Sequence, residues 1–335
     1  MSQGHQGITK MSSEDPLSSP LWVQQMNLFG GAKIPFLFIL DFKLQEPLVI
    51  ALQDLFSAGI QYQIKGIPEY ISPSQDFHLE KKSVDFEIYR QGFEEAMKGI
   101  LAGDTYLLNL TYSTQLFGID DLEKIFLASK APYKLYFHHK FVCFSPECFV
   151  TITDGVIRTF PMKGTIDDSI PDAENILLAD RKEQEEHATV VDLLRNDLSI
   201  VAERVTVERY RYITRINTAG KTLLQCSSEI SGKLPEDYQA HLGDIFHAIL
   251  PAGSVTGAPK KKTVELIEAI EPERRGYYTG VFGVYDGHNV DSAVMIRMIE
   301  QRGDEFYYRS GGGITYRSDV ESEYQEMMDK VYIPK

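Results

Sequence analysis

The sequence predicts a mixed α/β fold of the α+β type, an antiparallel sheet arrangement with helices packed outside. Three observations lead there. Strand-like runs follow one another through short turns, and helical runs do not alternate with them as a parallel βαβ sheet requires. No stretch rich in Gly, Pro or Ser divides the chain after residue 20, so one continuous folded unit is expected. No period of roughly 20–50 residues repeats, which excludes solenoids and propellers.

Taken in order, residues 1–20 (MSQGHQGITKMSSEDPLSSP) lack the apolar core of a signal peptide and read as a flexible tail. Part of that tail is also readable as lying upstream of a start at Met11. Residues 34–40 (IPFLFIL) form the longest apolar run and fall far short of the ~20 residues of a membrane helix. Phe and Ile dominate it and Asp41 ends it, which predicts a buried strand. Over 85–102, Phe86, Tyr89, Phe93, Met97 and Ile100 share one helical stripe. Gly103-Asp104 stops that helix and 105–113 reads as a strand.

Further strands are expected at 133–144, 148–152 and 155–160, then a helix over 173–196. A strand pair at 200–208 and 222–230 precedes helices at 236–249 and 259–271. Strands near 278–285 and 291–298 flank the turn dipeptide Asp286-Gly287. A last strand, 304–310, leads into Gly311-Gly312-Gly313 and a helix from about 319. Ser318 and Glu321 have the spacing of a capping box at that helix start.

Composition narrows the function. The 335 residues include 34 Lys and Arg against 48 Asp and Glu, a formal net charge of −14. Nucleic acid meets a repulsive field on such a surface, so no nucleic-acid partner is expected. Small anionic substrates remain open to it, because a few placed cations or a metal reverse the sign locally. Cys143, Cys148 and Cys226 are too few and too oddly spaced for a disulfide framework or a zinc site. They read as reduced thiols of a soluble, cytoplasmic protein with no membrane partner.

Several constellations could carry chemistry. Glu183 and Glu186 share a face of one predicted helix, and Glu323 and Glu326 repeat that spacing in the last. Facing each other, the two pairs could hold a hard dication such as Mg²⁺; apart, they are solvated acidic faces, and spacing leaves both open. Lys330, four residues after Glu326, is a surface ion-pair partner or a cation at the rim of that site. The triple glycine at 311–313 allows backbone N–H groups close to an anion, or makes a plain turn. Residues 251–260 (PAGSVTGAPK) lack the Walker spacing, so ATP and GTP are not supported. Lys163 lies between Pro161 and Gly164, where desolvation makes a lysine nucleophilic and exposure makes it ordinary.

Read together and in order, these segments are specific. GDTY at 103–106, SPE at 145–147, PMKGT at 161–165, EEHATVVDLLRNDL at 185–198, PAGSVTGAPK at 251–260, RGYYTG at 275–280, IRM at 296–298 and GGGITYRSDVESEYQE at 311–326 form one series. The series resembles the chorismate-utilising enzymes: anthranilate and aminodeoxychorismate synthase component I, and the isochorismate and salicylate synthases. The resemblance implies a single sandwich of two antiparallel sheets with helices outside. It also implies a division into tail 1–20, a shortened N-terminal part at 21–84 and a chorismate-binding catalytic region at 85–335, continuous with it. Under it, Glu186 and Glu326 become direct Mg²⁺ ligands and Glu183 and Glu323 ligands through water. Gly164, Thr165, Tyr278, Arg297, Gly311, Gly313 and Lys330 match positions that hold the substrate.

Within the family, the lysine of PMKGT is similar to that of aminodeoxychorismate synthase component I, where anthranilate synthases have PIAGT. The resemblance implies that Lys163 attacks C2 of chorismate as the C4 hydroxyl leaves, with Glu147 as its general acid. Ammonia, supplied by a separate glutaminase subunit, then gives 4-amino-4-deoxychorismate for 4-aminobenzoate and folate synthesis. Two departures stand out: Leu107 replaces a glutamine or lysine near the GD-x-Y strand, and Gln225 replaces a histidine linked to pyruvate elimination. Leu107 takes no proton, which weighs against an isochorismate synthase, and Gln225 is no general acid or base, which fits a product that keeps its pyruvyl group. Anthranilate synthase component I is the alternative enzyme, and a non-catalytic chorismate-binding subunit the alternative of another class.

Overall fold

The computed structural model describes residues 19–65, 77, 79–217 and 222–334. All but the last two residues of the expected N-terminal tail, and Met11 with them, therefore lie outside the described residues. Helix α1 (Leu21–Gly31) opens the fold and is followed by strands β1 (Phe36–Leu40), β2 (Leu48–Ala51), β3 (Ile60–Ile64) and β4 (Glu80–Lys82). Next come α2 (Phe86–Leu101), β5 (Leu107–Phe117), α3 (Leu122–Ala128), β6 (Tyr133–Phe137), β7 (Phe141–Ser145), β8 (Cys148–Thr153), β9 (Val156–Thr159) and β10 (Met162–Asp167). Helices α4 (Ala173–Ala179) and α5 (Arg181–Val201) lead to the long strands β11 (Glu203–Asn217) and β12 (Thr222–Lys233). Helix α6 (Leu242–Ile249), the short β13 (Gly257–Ala258) and α7 (Lys260–Ile270) precede β14 (Val281–Tyr285), β15 (Val290–Val294), β16 (Met298–Arg302), β17 (Glu305–Ile314) and α8 (Val320–Asp329).

Among the described residues the strands make two sheets, paired antiparallel throughout, as the sequence implied. One runs β10-β12-β9-β8-β15-β14-β1-β2 with β11 alongside β12; the other runs β13-β5-β17-β16-β7-β6-β3 with β4 alongside β5. Strand β1 explains why its sequence shows no alternation. Leu37 and Ile39 pack between the sheets against Leu135, Phe141 and Met298, while Phe36, Phe38 and Leu40 pack outward under α1 and α6. Both faces are buried, so every residue is apolar. Burying each such side chain contributes about 1.5–3 kcal/mol. The outer face of β5 is covered by α2, α7 and α8 through Tyr89, Phe93, Ile267 and Met327. The cysteines are free and buried. No helix among the described residues is long and apolar enough to cross a membrane.

The departures from the sequence reading have local causes. The strand expected over 133–144 is the hairpin β6–β7, turned at His139 in the left-handed region. The helix over 173–196 is two helices, because Asp180 leaves the helical conformation and its carboxylate accepts from the Glu183 N–H to start α5. Lys163 and Gly164 lie within strand β10, which begins at Met162. The strand over 291–298 divides into β15 and β16 because the chain passes from one sheet to the other at 295–297. The triple glycine lies inside β17, not after it. Helix α8 is capped by Asp319, which accepts from the Ser322 N–H; Ser318 instead donates to Glu323, so the capping box does not form.

One buried ionic cluster ties these parts together. Glu271, at the end of α7, accepts from Arg275 at 2.6 and 2.9 Å and from Arg309 of β17 at 2.9 Å. It also accepts from the backbone and hydroxyl of Thr111 on β5. All three charged side chains are at most 2% exposed. Removing one member of a buried ion cluster leaves the others charged without compensation. Glu271→Gln should therefore lower unfolding free energy by about 3–5 kcal/mol in urea denaturation, the cost of stranding partners in a buried pair. A loss under about 1 kcal/mol would show that the guanidinium groups find other partners.

Candidate active site

The geometry begins at two chain crossings between the sheets. Strand β7 passes to β8 through Pro146-Glu147, and β15 passes to β16 through 295–297, ending at Arg297. The crossings lie side by side: Val294 N–H donates to Glu147 C=O and Phe144 N–H to Arg297 C=O, each at 3.1 Å. Arg297 takes φ +54°, a left-handed conformation that costs a non-glycine residue energy and persists only where surroundings impose it. An acid and a cation are thus delivered to one spot by the fold itself.

Strand β10 supplies the lysine. Its register against β12 shifts between Lys163 and Thr165, where Gly164 sits at φ +71° as the extra residue of a bulge. A Cβ there would lie 2.9 Å from Leu177 Cδ1 and 3.0 Å from Glu183 Oε2, so the position takes glycine for both reasons.

The third wall is the end of β17. Its partner β16 stops opposite Arg309, so from Ser310 onward β17 pairs with β5 on one side alone. Gly311 C=O points to the open side, where it accepts from Lys330 Nζ at 2.8 Å. In a strand the N–H and C=O of one residue point the same way, so Gly311 and Gly313 present N–H groups to that side. Opposite them, the N–H groups of Thr111 and Asn109 turn away to Glu271 and Thr256, as such a register requires. Free N–H groups on a sheet edge are an anion site.

These walls enclose a cavity of about 540 Å³. Every residue singled out in the sequence lines it: Lys163 and Glu147; Gly164, Thr165, Tyr278, Arg297, Gly311, Gly313 and Lys330; and Glu183, Glu186, Glu323 and Glu326. Leu107 and Gln225 line it too, Gln225 paired across from Thr165. Ser254 was not anticipated. It lies in the 251–260 segment that resembles a phosphate loop, and its hydroxyl donates to Glu147 Oε1 at 2.6 Å. Its only signal was membership in the ordered motif series; nothing in the spacing gave it a role. Asn109, Lys182, Tyr308 and Arg309 were likewise missed.

Charge is distributed unevenly here. Burial pushes the Glu147 carboxyl up, against the pull of Ser254 and of the Lys163, Arg297 and Lys330 charges. Burial, then the neighbouring Glu186, raises Glu183; burial also raises Glu323, with Glu326 and Glu186 adding to it. Burial works upward on Glu326 as well, but Lys330, 2.7 Å away, brings it below the ordinary range. Behind β10, buried His187 bonds Ser228 at 2.7 Å, and burial lowers its pKa to about 4.

Four carboxylates from α5 and α8 offer only oxygen donors, the set that suits a hard dication such as Mg²⁺. As arranged, lysines pair with two of them: Lys163 and Lys182 approach Glu186 at 3.4 and 3.9 Å, and Lys330 holds Glu326. No three Asp, Glu, His or Cys among the described residues are gathered tightly enough to hold an ion. The donor chemistry fits Mg²⁺, and an ion bound here would compete with the lysines that pair with Glu186 and Glu326.

The sequence profile of the chorismate binding enzymes matches residues 50–334. The chain belongs to the chorismate binding enzyme family. A relative in Haemophilus influenzae, an uncharacterized PabA-like protein, is 49% identical over 315 residues, covering 93% of this chain and 96% of its own. Aminodeoxychorismate synthase component 1 of Escherichia coli is 31% identical over 281 residues, covering 78% of this chain and 61% of its own. The crystal structure of anthranilate synthase component I from Streptococcus pneumoniae superposes with a TM-score of 0.67 at 27% identity, over 77% of this chain and 60% of that one. The sandwich implied by the motifs is thus the architecture that chorismate binding enzymes share.

The raised Glu147 carboxyl has a measurable consequence. Above the ordinary carboxylate range the unfolded chain has released this proton while the native state still holds it, so native stability falls as pH rises through that window. Glu147→Gln should remove this part of the slope, and its stability relative to wild type should increase from pH 4 to pH 7 in urea denaturation, as roughly expected for a carboxyl raised by burial. Parallel pH profiles would show that Glu147 ionises as freely in the fold as in the unfolded chain.

Proposed function

We propose that this chorismate binding enzyme is an aminodeoxychorismate synthase component I, which joins chorismate and ammonia to give 4-amino-4-deoxychorismate and water. The observation that carries the proposal is Lys163, whose amine enters the cavity from a glycine bulge within the field of Glu147. A lysine reaching a substrate cavity is a nucleophile once it sheds its proton. Gln225 supports the same reading, because it neither gives nor takes a proton where pyruvate elimination calls for one.

In the proposed sequence, neutral Lys163 Nζ forms a bond to ring C2, the double bonds shift, and the C4–O bond breaks. The departing hydroxyl takes the proton of Glu147 and leaves as water. Ammonia then bonds to C4, the double bonds shift back, the C2–N bond returns its electrons to Lys163, and the C4 ammonium gives its extra proton back to Glu147. Arg297 and the open N–H groups of Gly311 and Gly313 hold carboxylates of the substrate, with Tyr278 and Thr165 completing the wall. Glu183, Glu186, Glu323 and Glu326 would hold Mg²⁺, which would supply positive charge for the ring carboxylate. A glutaminase subunit delivers the ammonia.

The test is incubation with chorismate, Mg²⁺ and ammonium, read by mass spectrometry and fluorescence. A non-fluorescent product that retains the pyruvyl group and carries nitrogen in place of hydroxyl is expected; fluorescent anthranilate with free pyruvate would reverse the assignment. Lys163→Met should lower turnover by at least roughly a hundredfold, the scale of losing a group that acts as part of a catalytic unit. With chorismate alone, intact-protein mass should show an adduct on wild type and none on the variant. Undiminished turnover in the variant would remove the nucleophile role.

Lys163 and the metal draw on the same carboxylate, Glu186. Lys163→Met should accordingly tighten Mg²⁺ binding by about two- to fivefold in calorimetry, the range of a partly exposed ion pair. Unchanged affinity would mean that the ion does not use Glu186.

A further inference from the structure

Most cations around the cavity are already engaged. Arg275 and Arg309 are locked onto Glu271, Lys330 onto Glu326 and Gly311 C=O, and Lys163 onto Glu186. Arg297 differs. Among the described residues its guanidinium has no hydrogen-bond acceptor and no carboxylate within ion-pair distance. It lies instead over the ring of Tyr332, with Cζ 4.9 Å from the ring centroid, within the electrostatic reach of Glu147 and Tyr308.

Tyr332 belongs to the segment that follows α8. That segment is pinned on both sides of it: Val331 is fully buried and Ile333 nearly so, Lys81 Nζ donates to Val331 C=O, and Lys130 N–H donates to Pro334 C=O at 3.0 Å. Between these anchors Tyr332 remains 39% exposed, so its ring is not what packs the segment. Nearby, Tyr308 lines the cavity, and its hydroxyl is buried without a hydrogen-bond partner among the described residues. A five-donor fork with no acceptor, on a strained backbone, would sample several rotamers unless something restrains it.

We propose that Tyr332 is a positioning residue for Arg297: its aromatic face holds the guanidinium plane so that the fork meets a carboxylate of the bound substrate. Stacking restrains the plane without consuming donors, which an acidic partner would do. The proposal rests on Arg297 as a carboxylate ligand of chorismate, and not on which product forms. It concerns binding: Tyr332 touches no reacting atom, so its removal acts on the affinity for substrate.

The test measures chorismate affinity directly, by calorimetry with Mg²⁺ and no ammonium, alongside steady-state kinetics and thermal unfolding. Tyr332→Leu should weaken binding and raise KM by about three- to tenfold, the scale of one cation–π contact, with kcat unchanged. Tyr332→Phe, which keeps the ring, should bind within about twofold of wild type on the same ground. In an Arg297→Gln background the leucine variant should cause no further loss, which a merely structural role would not predict and which stays readable if Tyr332→Leu also melts lower. Wild-type affinity in Tyr332→Leu, equal losses in the Phe and Leu variants, or an undiminished effect without Arg297 would each overturn the proposal. A product other than 4-amino-4-deoxychorismate would overturn the assigned reaction and leave these comparisons intact.

Discussion

Glu271 is the residue on which the site depends. Its two oxygens collect Thr111 from β5, Arg309 from β17 and Arg275 from the loop after α7. Arg275 in turn donates to the carbonyls of Val255 and Asn109, and Arg309 to those of Arg274 and Glu273. A buried carboxylate with two guanidinium groups is costly unless every donor finds an acceptor. Here the backbone of three separate segments provides the acceptors: Val255 before β13, Asn109 on β5, and Glu273 and Arg274 after α7; the first two carry part of the cavity wall. The requirement to satisfy buried charge and the requirement to assemble the site are met by the same set of hydrogen bonds.

Above that foundation, sheet geometry supplies the chemistry. Two strands that change sheets side by side bring Glu147 and Arg297 together, and a strand that outlasts its neighbour leaves backbone donors unpaired. Unpaired edges are usually a hazard of aggregation. In this fold the edge is turned inward, covered by α8 and closed off by Lys330, so the spare donors face the cavity and no other strand can reach them. An acidic protein thereby accepts an anion without an excess of basic residues.

Much of this was legible in the sequence, and the limits are instructive. The apolar run of β1, the amphipathic α2 and the turn at Asp286-Gly287 announce themselves because their patterns are local. Residues 133–144 and 291–298 read as single strands because a hairpin turn of polar residues and a change of sheet both preserve apolar patterning on either side. The spacing of Ser318 to Glu321 suits a cap as well as Asp319 does, yet the structure spends the Ser318 hydroxyl on Glu323. The carboxylate pairs could be paired in helices from spacing, yet their convergence across α5 and α8 was given by the motif order. Ser254 and the contact of Tyr332 with Arg297 depend on segments that no short window of residues contains together.

The cluster around Glu271 also has an electrical consequence. Two guanidinium charges against one carboxylate leave a unit of positive charge beneath the cavity floor, where Arg309 is exposed to the cavity but almost not to solvent. Mobile ions screen charge in water over about 8–10 Å at ordinary ionic strength, and they do not enter a packed interior. The surface, with a formal net charge of −14 across the chain, lies on the other side of that distinction. An approaching dianion is thus repelled by a field that salt weakens and, once inside, drawn by one that salt scarcely touches. The acidic exterior sets how quickly such a ligand arrives, and the buried interior sets how long it stays.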